Sequence, residues 1–114
     1  MLIDKGAKLH VTYRALFEKS TRRHFLGEVL ECEGVVCVLQ GYAFVYDPKL
    51  ETYTRKPEQR RTVIDLAESG YVVNIIASNV NLEEVSYKYQ QSSGMVATDG
   101  KDFSLDINEF GLRS

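Results

Sequence analysis

The sequence predicts an all-β protein, a small and strongly bent antiparallel barrel with an added N-terminal strand and a C-terminal hairpin. Three observations predict it. Apolar residues recur at every second position through much of the chain, the spacing of half-buried strands. One stretch, VVCVLQGYAFVYD at 35–47, is apolar on both faces and carries a glycine, Gly41, near its middle. Turn pairs at Glu33-Gly34, Asp47-Pro48 and Asp99-Gly100 cut the chain into short extended pieces.

From the N-terminus, Leu9, Val11, Tyr13, Ala15 and Phe17 alternate with His10, Thr12, Arg14 and Leu16, as in a strand. A helix is the rival over 9–18, because Leu9, Tyr13, Leu16 and Phe17 also share a helical face. KSTRRH at 19–24 reads as a polar, basic connection, FLGEVLEC at 25–32 as the second strand, and Glu33-Gly34 as a tight turn. In the run at 35–47, Val35, Cys37, Leu39, Ala43 and Val45 share one face and Val36, Val38, Tyr42, Phe44 and Tyr46 the other. An antiparallel strand with one wet face does not look like this, so both sides must be covered: a barrel core within, and another layer or another subunit outside. Gly41 marks a sharp bend of the kind that closes small barrels.

Pro48 stops that strand. Residues 48–51 (PKLE) turn, residues 52–56 return, and residues 57–61 form a loop. Strands at 62–66 and 71–77 follow, with a turn at 67–70 between them. Asn81-Leu82-Glu83-Glu84 has the spacing of a capping box and starts a single helical turn. Residues 85–89 are extended, QQSSG at 90–94 is the flexible link, and 95–98, Asp99-Gly100 and 103–107 make a second hairpin.

The 114 residues amount to one domain, with the barrel core over about 25–77 and the C-terminal hairpin over 95–109. No run of about 18 apolar residues exists to span a bilayer. MLIDKGAKLH lacks the charged-then-apolar order of a signal peptide. With only Cys32 and Cys37, no disulfide framework is expected; the cysteines read as buried and inert, and the chain as cytoplasmic. In one hairpin register these two cysteines sit opposite each other; with Glu33-Gly34 as the turn they do not. Charge is uneven: residues 1–61 hold 11 Lys/Arg against 8 Asp/Glu, residues 62–114 hold 3 against 8. Such a split suits two solvated surfaces, head-to-tail self-association, or an anionic partner for the first half.

Catalytic chemistry has no foothold. No nucleophile elbow, paired-histidine zinc motif or phosphate-cradling glycine loop is present. The chain is therefore read as non-enzymatic, with no catalytic residues, cofactor or metal. His10 and His24 read as solvated or hydrogen-bonded. Asp99, Asp102, Asp106 and Glu109 cluster in sequence, but turn formation and strand alternation account for them. The basic cluster carries more. Arg55, Lys56, Arg60 and Arg61 bracket Pro57, and four cations so close repel each other unless an anion or a carboxylate is near. Glu51 and Glu58 are the local carboxylates that would offset them. Otherwise these cations form an anion- or nucleic-acid-binding patch, with Tyr46 and Tyr53 to stack on bases.

GYAFVYDPKLETY resembles the first signature of the Sm-like (Lsm) small β-barrels, relatives in shape of SH3-like barrels. Gly41, Phe44, Asp47 and Leu50 stand at the signature's places. FLGEVLECEG resembles the family's first barrel strand, and SGYVVNII its second signature, through Gly70, Val72, Val73 and Ile75. The resemblance covers about residues 25–77. It implies a bent barrel, assembly into rings, and a nucleic-acid pocket supported by Asp47, with Lys49 at the stacking place. Glu51 stands where the family has a base-contacting Asn, and Ser69 where it has a basic residue. A carboxylate at Glu51 repels phosphate and cannot donate to a base carbonyl. The resemblance therefore implies ring assembly more than the pocket.

The sequence thus predicts a non-enzymatic, self-associating binding or scaffold module, a homo-oligomer. The alternative is an RNA- or polyanion-binding protein using Lys49, Arg55, Lys56, Arg60 and Arg61. A small enzyme is a third reading, without a recognisable motif. No membrane partner is expected.

Overall fold

The period-two pattern is realised as strands. A computed structural model describes residues 3–13, 22–67, 71–90 and 94–107, and among them nine strands: β1 (Lys8–Tyr13), β2 (Arg23–Glu33), β3 (Val36–Asp47), β4 (Thr52–Arg55), β5 (Arg60–Asp65), β6 (Tyr71–Ile76), β7 (Ser86–Gln90), β8 (Gly94–Thr98) and β9 (Ser104–Asp106). All pairings are antiparallel. No α-helix occurs among the described residues. The chain divides into two compact units, one ending at Asn79 and one beginning at Val80.

The first unit is a six-stranded sheet in the order β4-β3-β2-β1-β6, with β5 also paired to β3. β3 changes partner at its glycine. Val36 to Gly41 pair with β5, and Phe44 to Asp47 pair with β4. Gly41 also lies opposite Gly27 of β2, so two adjacent strands lack a side chain at the same level. A bulge at Leu30, between Val29 and Glu31, further re-aims β2. β5 pairs with no described strand but β3, and β6 with none but β1. Among the described residues no pairing closes the sheet between these two margins.

Leu9, Val11, Phe25, Val29, Cys37, Leu39, Ala43 and Ile64 form the core on one face. Each fully buried aliphatic or Phe side chain contributes about 1.5–3 kcal/mol by leaving water. The opposite face is also buried over β3's C-terminal half, where Tyr42 is 7% and Phe44 1% exposed. This much of the doubly apolar strand is covered within a single copy, and it does not by itself demand a second.

In the second unit β8 lies between β7 and β9. Val96, Ala97 and Thr98 are buried. A 3₁₀ turn, Leu82–Glu84, precedes β7, and the Asn81 side chain caps it by accepting from the Glu83 N–H at 3.0 Å.

Four expectations are corrected. The connection at 19–24 is shorter, because β2 already begins at Arg23 and His24 is a buried strand residue. The turn after β2 is Gly34-Val35, closed by the pair Glu33 and Val36. Gly34 has φ +65°, the left-handed value that a glycine-first two-residue turn needs and a β-branched Val35 would resist. That register sets Cys32 opposite Cys37, and the two are joined in a disulfide rather than free, with Cα atoms 4.2 Å apart. The closing pair of a two-residue hairpin is hydrogen-bonded, so the next pair is the closer, non-hydrogen-bonded kind that a bridge can span. The expectation of a cytoplasmic chain loses the support it drew from free cysteines. Finally, β9 begins at Ser104, one residue later than the expected 103, so the loop joining β8 to β9 spans 99–103. Asp99 Oδ1 accepts from the Lys101 N–H (2.8 Å) and the Phe103 N–H (3.2 Å), which stabilises the wider loop. The remainder of the first predicted strand, residues 14–17, lies outside the described residues.

Candidate functional site

The hairpin of β3 and β4 is shaped by Asp47. Its Oδ1 accepts from the Lys49 N–H at 2.9 Å, and its backbone carbonyl from the Glu51 N–H at 2.8 Å. This Asx turn follows from Asp directly before Pro. Lys49 is exposed at the tip. The four-residue strand β4 holds it roughly 10 Å or more from Arg55, at about 3.3 Å per residue. Lys49 therefore does not join the other cations.

Arg55 ends β4, and its guanidinium lies 4.7 Å from the centroid of the Tyr42 ring. Lys56 follows, its backbone N–H donating to the Ala43 carbonyl at 2.8 Å. Residues 56–59 alone connect the strands, because β5 begins at Arg60. The loop expected at 57–61 is thus shorter, and Arg60 and Arg61 are strand residues. All four cations are exposed, as expected.

The strand matters because neighbours on it point to opposite faces. Arg61 is paired with Gln40 and shares its face. Arg61 Nε donates to Gln40 Oε1 at 3.3 Å, and Gln40 Nε2 donates to Gln59 Oε1 at 3.3 Å. Arg55 rises from the same face, beside Tyr42. Arg60, paired with Gly41, belongs to the opposite face, that of Leu9 and the core. The structure brings Arg55 and Arg61 to one surface and Arg60 to the other. Among the described residues no carboxylate lies within ion-pair distance of Lys56, Arg60 or Arg61. Glu51 and Glu58 do not offset them as expected.

The expected stacking residues fare differently. Tyr53 is 8% exposed and stacks on His24 with centroids 4.4 Å apart, so it presents no open face to a base. Tyr46 is half-buried, edge-on to Tyr53 at 5.4 Å, with the Arg22 guanidinium 5.4 Å from its centroid. His10 and His24, expected to be solvated or hydrogen-bonded, are buried with ring centroids 4.9 Å apart.

One aromatic pair escaped the sequence reading. Tyr13 and Tyr71 stand opposite each other on β1 and β6, with ring centroids 5.2 Å apart. Burial, and then Tyr71, push the Tyr13 phenol above its ordinary pKa, while the charges of Arg23 and Arg60 pull it down. Only the β1–β6 pairing, non-local in sequence, could have announced this pair.

Among the described residues no group of three or more His, Cys, Asp or Glu side chains could hold a metal ion, and no helix is long and apolar enough to cross a membrane. No family model matches the chain, and neither a curated protein nor a solved structure matches it.

Proposed function

We propose that the chain is a non-enzymatic, Sm-like small-barrel module that self-associates edge to edge, the β5 margin of one copy pairing with the β6 margin of the next. One observation carries this reading. β5 and β6 each have a single strand partner among the described residues, and each presents exposed aliphatics, Val63 at 67% and Ile75 at 61%. β6, YVVNII, carries no charge and no proline, the usual guards of an open edge. Adding a strand there satisfies backbone groups and covers apolar surface together. The contact is heterologous, so it closes into a ring or continues as a filament.

Sedimentation velocity at about 100 μM, where weak interfaces still populate, tests it. The unaltered protein sediments as a multiple of 13.0 kDa, and Ile75→Lys returns it to 13.0 kDa. A single 13.0 kDa species from the unaltered protein refutes the reading.

A second reading, RNA or polyanion binding, is favoured by the exposed Arg55, Lys56 and Arg61, with Arg55 lying against the Tyr42 ring. Binding to an RNA pool that weakens steeply with salt supports it.

A further inference from the structure

The end of the sheet that carries the cysteine bridge borders a groove that neither reading uses. Its volume is about 660 Å³, and Ile3, Asp4, Lys5, Leu30, Glu31 and Cys32 are among the residues that line it. Local structure builds it. The Gly6 N–H donates to the Val29 carbonyl at 2.8 Å and the Val29 N–H to the Ala7 carbonyl at 2.7 Å, which ties the segment ahead of β1 to β2. Directly after that tie, the bulge at Leu30 bends β2. The bridge meets this groove with one sulfur-bearing residue only. Cys32 lines it and is half-buried, whereas Cys37 is 0% exposed and is not among the lining residues.

We propose that the Cys32–Cys37 bridge is a thiol–disulfide exchange site for small aminothiols, with Cys32 the exchanging sulfur and Cys37 the resolving one. Exchange begins when a thiolate attacks one sulfur of a disulfide. Cys37 has no exposed surface, so the attack falls on Cys32. A bond forms between the incoming sulfur and Cys32 Sγ. The bond to Cys37 breaks, and its electron pair leaves with Cys37 Sγ, which takes a proton. A second thiolate then attacks the sulfur of the bound thiol. That step releases a small disulfide and leaves Cys32 as thiolate, so two thiols are oxidised and the bridge is reduced. In the reverse direction the Cys32 thiolate opens a small disulfide, and Cys37 closes the bridge by expelling the remaining thiol. The charge at the groove selects the thiol. Exposed Asp4 and Glu31 set two carboxylates against the single ammonium of Lys5. Such a field draws a thiol that carries an ammonium group and opposes one that carries an anion.

Mass mapping tests the assignment. The unaltered protein is incubated with cysteamine, quenched in acid and cleaved after Glu33, which separates the two cysteines. The mixed disulfide sits on Cys32. Cys37→Ala treated with cystamine takes up one cysteamine on Cys32, and folded Cys32→Ala takes up at least about tenfold less on Cys37. If a single variant fails to fold, by circular dichroism, the mapping of the unaltered protein still decides. Compared per thiolate at low salt, cysteamine opens the bridge at least about threefold faster than mercaptoacetate, and added salt narrows that ratio. Asp4→Asn and Glu31→Gln narrow it too. Cys37 labelled as heavily as Cys32, equal rates for the two thiols at low salt, or a bridge that neither thiol opens in the folded protein overturns the proposal.

Discussion

Gly41 on β3 stands directly opposite Gly27 on β2, and a Cβ at Gly41 would lie 2.6 Å from the Gly27 Cα and closer still to the Leu26 carbonyl oxygen. That obstacle is backbone, which cannot rotate aside. At Gly27 the nearest obstacle is the Phe25 Cε2 atom at 2.7 Å, a ring edge that can shift. Gly41→Ala therefore costs about 3 kcal/mol or more and Gly27→Ala about 1–2 kcal/mol, by the usual scale of overpacking. Urea unfolding of the two variants checks the order, and equal costs would mean that the strands do not approach as described.

Glu51 holds a left-handed backbone at φ +56°. A residue with a Cβ spends roughly 1 kcal/mol or more there, while Gly and Asn tolerate it. Glu51→Gly and Glu51→Asn should each raise stability, by about 1 kcal/mol for the glycine. Chemical denaturation measures it.

The bridge between Cys32 and Cys37 closes a short loop across a hairpin already paired to β5. Chain entropy assigns so short a loop about 2 kcal/mol. The double variant Cys32→Ala, Cys37→Ala should stay folded and lose about that much. Unreduced, denatured protein should show no thiol to a thiol reagent, and two after reduction. Two thiols without reduction would disprove the bridge.

The strands were largely legible because period two survives in short segments and because Pro48, Gly34 and Gly100 punctuate it. What was not legible depended on partners far away in sequence. The start of β2 hid behind Arg23 and His24, whose polarity suggests a loop; His24 is buried because His10 of β1 and Tyr53 of β4 pack on its ring. The cysteine pairing turned on one residue of register, with Gly34 able to serve either turn. For the candidate site, the exposure of Arg55, Lys56, Arg60 and Arg61 could be read from charge density. Their division between two faces could not, because it requires knowing that β5 begins at Arg60 and meets Gly41.

That division gives the last prediction. Burial raises the Tyr13 phenol most, Tyr71 adds to it, and Arg23 and Arg60 oppose both. The sign for stability follows. The folded state holds the phenolic proton more tightly than the unfolded chain does, so this contribution is fully present below the unfolded phenol's ordinary value of about 10 and is lost as pH rises through the higher folded value. Tyr13→Phe should flatten that alkaline decline in urea unfolding. Arg60→Gln removes a charge that favours the phenolate and should move the Tyr13 titration still higher, read by phenolate absorbance against a Tyr13→Phe blank. Arg61→Gln, one residue along but on the opposite face, should leave it where it is. If both variants shift the titration alike, Arg60 and Arg61 act from one side of the sheet, and the face assignment that separates the basic surface from the tyrosine row is wrong.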